Sequence, residues 1–166
     1  MSVNGKKRAA GSRGRVLDTA LRRFRAYLSS GGLRLTGQRR RVLEAVLRQT
    51  EHFDADYLYE VLREEGQRAS RSTVYRTLHH LRECGLVREM AHPRGRATYE
   101  PVLGREHHDH MLCVRCGAVL EFVDERIEAL QKSVCRRYGF RALDHRMSIR
   151  GLCKKCLAAD REGAKR

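Results

Sequence analysis

Two cysteine pairs of identical spacing constrain how this chain folds more than any other feature. Cys113 and Cys116 form one Cys-x-x-Cys, Cys153 and Cys156 form the other, and 36 residues separate the pairs. A two-residue gap lets one tight turn present two thiolates to neighbouring corners of a tetrahedron, so two such turns supply the four ligands of a structural Zn²⁺ site. The alternative is that one or both pairs are coincidental or redox-active, but the zinc-ribbon spacing of both favours zinc.

The net charge points to a polyanionic partner. The chain of 166 residues fits one large domain or two small ones, and it carries a formal charge of +15, of which +11 falls in residues 1–50. Such a net positive charge is typical of proteins that bind nucleic acid. The alternative is an arginine-rich composition with a disordered basic tail, which gives the same net charge. No apolar run approaches the ~20 residues of a membrane span, and no secretory signal is visible. We therefore expect a cytoplasmic protein in a reducing compartment, where thiolates bind metal.

The first part of the chain is predicted to form a winged helix-turn-helix domain at residues 16–100, after a disordered basic tail at residues 1–15. Apolar spacing predicts a helix from Val16 to Ser29. Three more helices are predicted from their capping residues, which are Thr36, Asp54, and Ser70 or Ser72. Two strands at residues 86–90 and 97–100 then flank a hairpin tip at residues 92–96. Three compact helices followed by a hairpin is the order of a winged helix-turn-helix.

The second part is predicted to be a small α/β domain at residues 107–160, after a linker at residues 101–106, which makes the whole chain α+β. A strand through the histidines to Cys113 precedes a second strand, from Ala118 to Val123. A helix capped by Asp124 follows and runs to about Tyr138. A last strand is predicted from Phe140 to Ile149, and the chain closes with the second cysteine pair and a charged tail. The two remaining cysteines, Cys84 and Cys135, are predicted to be small buried apolar residues.

The run His107-His108-Asp109-His110 is a second candidate for metal binding. Side chains alternate along a strand, so His107 and Asp109 point one way while His108 and His110 point the other. One strand could thus serve two metal sites together with nearby side chains, which are Glu100, Glu121, Glu128 and His145. Mixed nitrogen and oxygen ligands suit iron(II), manganese(II), zinc or nickel rather than calcium. The alternative is a solvated polar linker.

A third pattern indicates DNA recognition. Residues 70–78 open the third helix of the predicted helix-turn-helix, whose N-terminal turn lies in the major groove. The small side chains of Ser72 and Thr73 allow close approach, while Tyr75 and Arg76 can reach bases or phosphates. Arg34 and the basic N-terminal segment are expected to add phosphate or minor-groove contacts. The alternative is the ordinary exposed face of a helix.

Together these motifs resemble the ferric uptake regulator family of bacterial metal-sensing repressors. The resemblance covers residues 33–156. It rests on Leu33-Arg34-Leu35-Thr36, the helix 39–48, the run from Ser72 to Leu78, the run from His107 to Gly117, and the Cys153/Cys156 pair. It implies a winged-helix DNA-binding domain, a C-terminal dimerisation domain and a homodimer on a palindromic operator in double-stranded DNA.

The resemblance also sorts the metal ligands. A regulatory site joining the two domains is implied for His52, Glu100, His108, His110 and Glu121. An additional site within the dimerisation domain is implied for His107, Asp109, Glu128 and His145. The peroxide-sensing branch typically has Asp where Glu100 and Glu121 stand, and the zinc-uptake branch usually has a Cys in its sensor site. The resemblance thus favours an iron(II)-dependent repressor of iron-uptake genes, in which Mn²⁺ or Zn²⁺ can substitute for Fe²⁺.

Two other classes of protein compete with this hypothesis. A metalloenzyme is disfavoured because the sequence has no HExxH, nucleophile motif or phosphate-binding glycine loop, and because a site filled by protein ligands lacks the open position that catalysis needs. We therefore expect no enzymatic activity. A constitutive DNA-binding module with structural zinc only remains the second alternative, and operator binding with and without metal distinguishes it.

Overall fold

The computed structural model describes residues 4–91, 95 and 97–163. The chain divides into two compact units, of which the first ends at Arg105 and the second begins at Glu106. The helices and strands of the first unit are α1 (Asn4–Ser30), α2 (Gly37–Arg48), α3 (Ala55–Glu64), α4 (Arg71–Glu83), β1 (Val87–Ala91) and β2 (Ala97–Pro101). Three helices and an antiparallel hairpin thus follow α1, in the predicted winged-helix order.

Local sequence signals start and stop the helices of this unit. The side chains of Thr36, Asp54 and Ser70 each accept a hydrogen bond from the backbone N–H three residues later, which satisfies one of the free donors of a helix start. Gly66 and Gly85 follow α3 and α4 with φ of 68° and 69°, a left-handed conformation that glycine adopts without strain. The predicted caps are therefore confirmed, with Ser70 rather than Ser72 capping α4.

The first helix is longer than the sequence predicts. It begins at Asn4, whereas residues 1–15 were expected to be disordered and the helix to begin at Val16. That expectation is wrong for residues 4–15, because the lysine, arginine and alanine residues there favour a helix enough to offset the glycines. Residues 1–3 lie outside the described part of the chain, as do residues 92–94 and 96 of the predicted hairpin tip.

One hydrophobic core holds the first unit together. Its fully buried side chains come from all four helices and from the start of the hairpin; they include Phe24, Leu28, Leu43, Val46, Leu58, Leu62, Leu78, Leu81 and Leu86. Burying a leucine or phenylalanine contributes about 1.5–3 kcal/mol relative to leaving it exposed. This core fixes the exposed face of α4 and the position of the hairpin.

The second unit is a three-stranded sheet with two helices. Its elements are β3 (Asp109–Cys113), β4 (Val119–Phe122), α5 (Glu125–Arg137), β5 (Ser148–Gly151) and α6 (Lys154–Gly163). Strand β3 lies between β4, to which it is antiparallel, and β5, to which it is parallel. Two predictions are corrected: the last strand is confined to β5 rather than starting at Phe140, and the predicted tail forms α6 through Gly163.

The second unit buries few apolar side chains. None of the residues of α5 is buried, and the buried side chains described in this unit are Cys113, Cys156, Asp109 and His110. Cys84 is buried as predicted, but Cys135 on α5 is only partly so. A unit with so small a core needs other stabilisation, which metal ligation and association can supply. Within the described residues, no helix is both long and apolar enough to span a bilayer.

Candidate metal centres and nucleic-acid interface

The four cysteines of the two pairs come together at one end of the three-stranded sheet. Their Sγ atoms all lie within 4.8 Å of one another, and those of Cys116 and Cys153 are 3.7 Å apart. The first pair begins at Cys113, the last residue of β3, and the second pair follows β5. Because β3 and β5 are parallel and paired up to Cys113 and Gly151, both knuckles turn at the same end of the sheet.

The backbone around the cysteines favours thiolate. The backbone N–H groups of Cys116 and Cys153 point at Cys113 Sγ and lower its pKa to about 5, and the N–H of Cys156 lowers the pKa of Cys153. Burial raises the pKa of Cys156 to about 12, so a bound cation is needed to hold Cys156 as a thiolate near neutral pH. Zn²⁺ provides that charge and accepts four sulfur ligands. The donor set therefore fits a structural zinc.

A histidine and a carboxylate meet within the winged-helix unit. Phe53 and Tyr99 exchange two backbone hydrogen bonds, of 3.0 and 2.7 Å. This bridge places the neighbouring residues His52 and Glu100 side by side, with Nε2 of the histidine 3.4 Å from Oε2 of the carboxylate. Glu100 is 1% exposed, and a carboxylate so deeply buried requires a cationic partner.

The second unit contains the remaining ligands implied for the regulatory site. His110 lies directly opposite Glu121 in the pairing of β3 with β4. The rings of His108 and His110 are 4.9 Å apart, and His108 Nε2 is 3.8 Å from Glu121 Oε1. His108 precedes β3, so the predicted strand is shorter at this end, but the alternation still groups His108 with His110. Two imidazoles and a carboxylate are thus presented together.

The ligands implied for the additional site form a separate cluster within the second unit. One ligand atom from each of His107, Asp109, Glu128 and His145 lies within 4.8 Å of the others. Glu128 Oε1 is 3.1 Å from His107 Nε2 and 3.2 Å from His145 Nε2. Among the described residues, Asp109 Oδ1 is a buried atom without a hydrogen-bond partner, and His145 Nε2 is buried and close to Glu128 Oε1 but is not aligned to form a hydrogen bond. Buried unsatisfied polar atoms that converge are what a metal site leaves when the ion is removed, so this set fits a divalent cation.

The predicted recognition helix presents its polar start to solvent. On α4, Tyr75 is 49% exposed, and Arg76 folds back so that its Nε donates to the backbone oxygen of Ser72 at 3.2 Å. Thr73 Oγ1 lies 3.5 Å from Gln38 Oε1 on α2, a neighbour that the sequence analysis did not single out. Burial, together with Asp56, raises the pKa of Tyr75, so its hydroxyl stays protonated and able to donate.

Two arginines beside Glu100 were also missed by the sequence analysis. Arg88 Nη1 donates to Glu100 Oε1 at 2.8 Å, and Arg105 Nη1 lies 3.4 Å from Oε2. The predicted hairpin contained a signal for the first of them. A hairpin centred on residue 94 pairs residue 88 with residue 100, and this is the register observed. Arg105 follows the hairpin in the predicted linker, so no periodicity pointed to it.

The winged-helix unit and the clustered metal ligands together define a metal-binding transcription regulator. A profile of the ferric uptake regulator family matches residues 30–150, and the chain belongs to that family. It is 37% identical to the ferric uptake regulation protein of Neisseria gonorrhoeae over 134 residues. This aligned region covers 80% of this chain and 92% of the Neisseria protein.

Solved structures of ferric uptake regulators resemble the chain as well. The Helicobacter pylori regulator, whose structure is described as revealing three functional metal-binding sites, matches with a TM-score of 0.68 and 30% identity, covering 85% of this chain and 93% of that one. The Pseudomonas aeruginosa regulator with manganese matches with a TM-score of 0.67 and 33% identity, covering 78% of this chain and 96% of that one. These matches confirm the predicted α+β fold and the predicted class, a metal-responsive DNA-binding regulator.

Proposed function

We propose that this protein is an iron(II)-dependent repressor of iron-uptake genes, which binds a palindromic operator in the cytoplasm as a homodimer. The observation that supports the proposal is that the ligands implied for the regulatory site fall into two neighbouring groups, one in each unit. His52 and Glu100 lie together in the winged-helix unit, and the other ligands are His108, His110 and Glu121 of the second unit. A metal held by all five side chains ties the two units in one relative orientation.

A metal that links the two units in this way acts as an allosteric effector in the thermodynamic sense. The arrangement in which all five ligands reach the metal binds it more tightly, so metal shifts the population toward that arrangement. If DNA prefers the same arrangement, a coupling of ~3 kcal/mol changes operator affinity on the order of 100-fold. An empty site at low iron then leaves the genes expressed.

Direct binding measurements test the proposal. Chelator-treated protein that retains its zinc should bind operator DNA weakly, and iron(II) added under anaerobic conditions should restore tight binding. Manganese(II) is expected to substitute, because the same nitrogen and oxygen ligands accept it. Tight binding that is independent of added metal would instead identify a constitutive DNA-binding module. A response to zinc alone or to peroxide would assign the chain to another branch of the family.

Changes at the recognition helix are expected to weaken DNA binding. Arg76→Ala should cost ~1–3 kcal/mol at the operator if the guanidinium reads a base. Arg34→Ala removes a phosphate contact, so it should weaken binding to all sequences alike and flatten the salt dependence. Fluorescence anisotropy with operator and scrambled duplexes at several salt concentrations measures both effects. Equal operator affinity of wild type and Arg76→Ala contradicts the assignment of α4.

Strongly exposed apolar side chains on the second unit support the homodimer. The most exposed are Leu120 (56%), Val123 (62%), Leu130 (65%), Tyr138 (75%), Phe140 (68%) and Leu143 (90%). Surfaces of this kind mark sites of association. Leu130→Glu on α5 should shift the protein toward monomers in sedimentation velocity. Lys132→Gln is the control: like Leu130→Glu it lowers the net charge by one, but residue 132 lies about 200° around the helix from residue 130. This variant should remain a dimer. If both variants dissociate to the same extent, or neither does, the assignment of this surface to the dimer is contradicted.

A further inference from the structure

The two oxygens of the buried Glu100 carboxylate have different partners. Arg88, which lies directly opposite Glu100 in the β1–β2 pairing, donates to Oε1 at 2.8 Å. Oε2 lies 3.4 Å from His52 Nε2 and 3.4 Å from Arg105 Nη1. Oε2 is therefore the oxygen beside the other proposed metal ligand of this unit, and Arg105 is the cation that pairs with it.

Arg105 is held in place at this corner of the unit. Its Nη2 donates to the backbone oxygen of Thr50 at 2.9 Å, two residues before His52, and its side chain is 20% exposed. A guanidinium does not lose its proton in proteins. Arg105 can therefore stop competing for Oε2 only by moving away.

A divalent cation and Arg105 cannot share Oε2 without a cost. A metal bound between Oε2 and His52 would lie within a few ångströms of the guanidinium, and like charges at that separation repel strongly in a partly buried site. Arg88 differs, because it occupies Oε1 and can remain there while Oε2 binds metal. The two arginines thus have separate roles: Arg88 positions the carboxylate, and Arg105 occupies the metal-facing oxygen.

We propose that Arg105 is a competing cation of the sensor site, which neutralises Glu100 Oε2 in the metal-free protein and is displaced when that oxygen binds metal. The inference rests on the proposed function, since it takes His52 and Glu100 as regulatory ligands. Its consequence is a raised threshold: part of the metal's binding free energy is spent on displacing Arg105. The regulator then responds at a higher metal concentration than its ligand set alone would give.

The test is manganese binding by zinc-loaded, chelator-treated protein, measured from the electron paramagnetic resonance signal of free Mn²⁺. Every variant is made in a His145→Ala background, so that the additional site does not contribute. Arg105→Gln should lower the dissociation constant for Mn²⁺ on the order of tenfold, and Arg105→Met should do the same if the glutamine variant folds poorly. Arg105→Lys keeps the positive charge, so its dissociation constant should remain close to that of the parent.

Arg48→Gln is the matched control, because it also removes one positive charge from this unit. Arg48 pairs with Glu65 at the surface, so its loss should leave Mn²⁺ binding unchanged. An unchanged or raised dissociation constant in the neutral Arg105 variants overturns the inference, and so does an equal fall in Arg48→Gln. If either of these results is obtained and operator binding still depends on metal, only the inference about Arg105 fails. If the zinc-loaded His145→Ala parent binds no Mn²⁺, both the inference and the proposed function fail.

Discussion

Replacing His108 with alanine should abolish metal-dependent operator binding while leaving zinc content, folding and dimerisation intact. His108 is one of the ligands that the second unit is proposed to contribute to the sensor; it precedes β3 and is not among the buried residues of this unit. Without it the proposed regulatory site loses one of its ligands from the second unit, so metal should no longer select one arrangement. The expected loss is on the order of 100-fold in the ratio of operator affinities with and without metal. Anisotropy titrations with anaerobic iron(II) and with manganese(II) measure it.

His145→Ala is the matched control for this prediction. It removes an imidazole from the set that draws all its ligands from the second unit, so filling that set cannot by itself orient the two units. We expect a smaller effect on the metal response, with the change appearing in stability or dimer geometry instead. If His145→Ala loses the response and His108→Ala keeps it, the two sites have been assigned the wrong way round. If neither variant changes the metal response, neither set is the sensor; operator binding that needs no metal in all three proteins would instead identify a constitutive DNA binder.

Removing one cysteine of the zinc cluster should destabilise the second unit severely. Cys113→Ser takes away a thiol whose pKa is lowered to about 5 by backbone N–H groups, and it leaves three sulfur ligands where tetrahedral zinc needs four. Because the folding of small metal sites is driven by metal binding, losing the ion forfeits several kcal/mol of folding free energy. Zinc analysis and thermal unfolding, followed by circular dichroism, measure the loss. Stoichiometric zinc with an unchanged melting curve would disprove the assignment.

A change at one of the unclustered cysteines separates zinc loss from a general effect of thiol removal. Cys135→Ser alters a partly buried thiol on α5, outside the cluster. This variant should keep one zinc per chain and unfold near the wild-type temperature. A loss of zinc in Cys135→Ser equal to that in Cys113→Ser would show that the effect is not specific to the cluster.

Much of the fold followed from local signals in the sequence. Thr36, Asp54 and Ser70 could be placed at helix starts because capping depends on a side chain and a backbone N–H only three residues apart. The alternation predicted for residues 107–110 agrees with the grouping of His108 with His110 and of His107 with Asp109, although β3 begins only at Asp109. The extent of α1 could not be predicted in this way, because its first residues contain three glycines and no apolar stripe.

Pairings between distant segments were harder to predict. The sequence suggested Glu100 as a nearby carboxylate and the resemblance assigned it to the regulatory site, but its burial beside Arg88 and Arg105 depends on the hairpin register and on the chain that follows the hairpin. His52 lies beside Glu100 because the bridge between Phe53 and Tyr99 joins a loop to a strand, and no periodicity encodes such a contact. The short β5 was overestimated because residues 140–147 show the apolar alternation of a strand, whereas the pairing with β3 begins only at Ser148.

The position of the zinc knuckles implies an order of assembly. They close a loop of 36 residues that begins after Cys116 and ends before Cys153, and this loop contains β4, α5 and the exposed apolar side chains of the proposed dimer surface. Without zinc, the two ends of this loop are no longer held together and the loop has much greater conformational freedom. Ordering the apolar surface for contact with a second copy then costs more conformational entropy. Zinc should therefore be acquired by the single chain before it dimerises. Zinc starvation would then deplete dimers first, whatever the supply of the metal that is sensed.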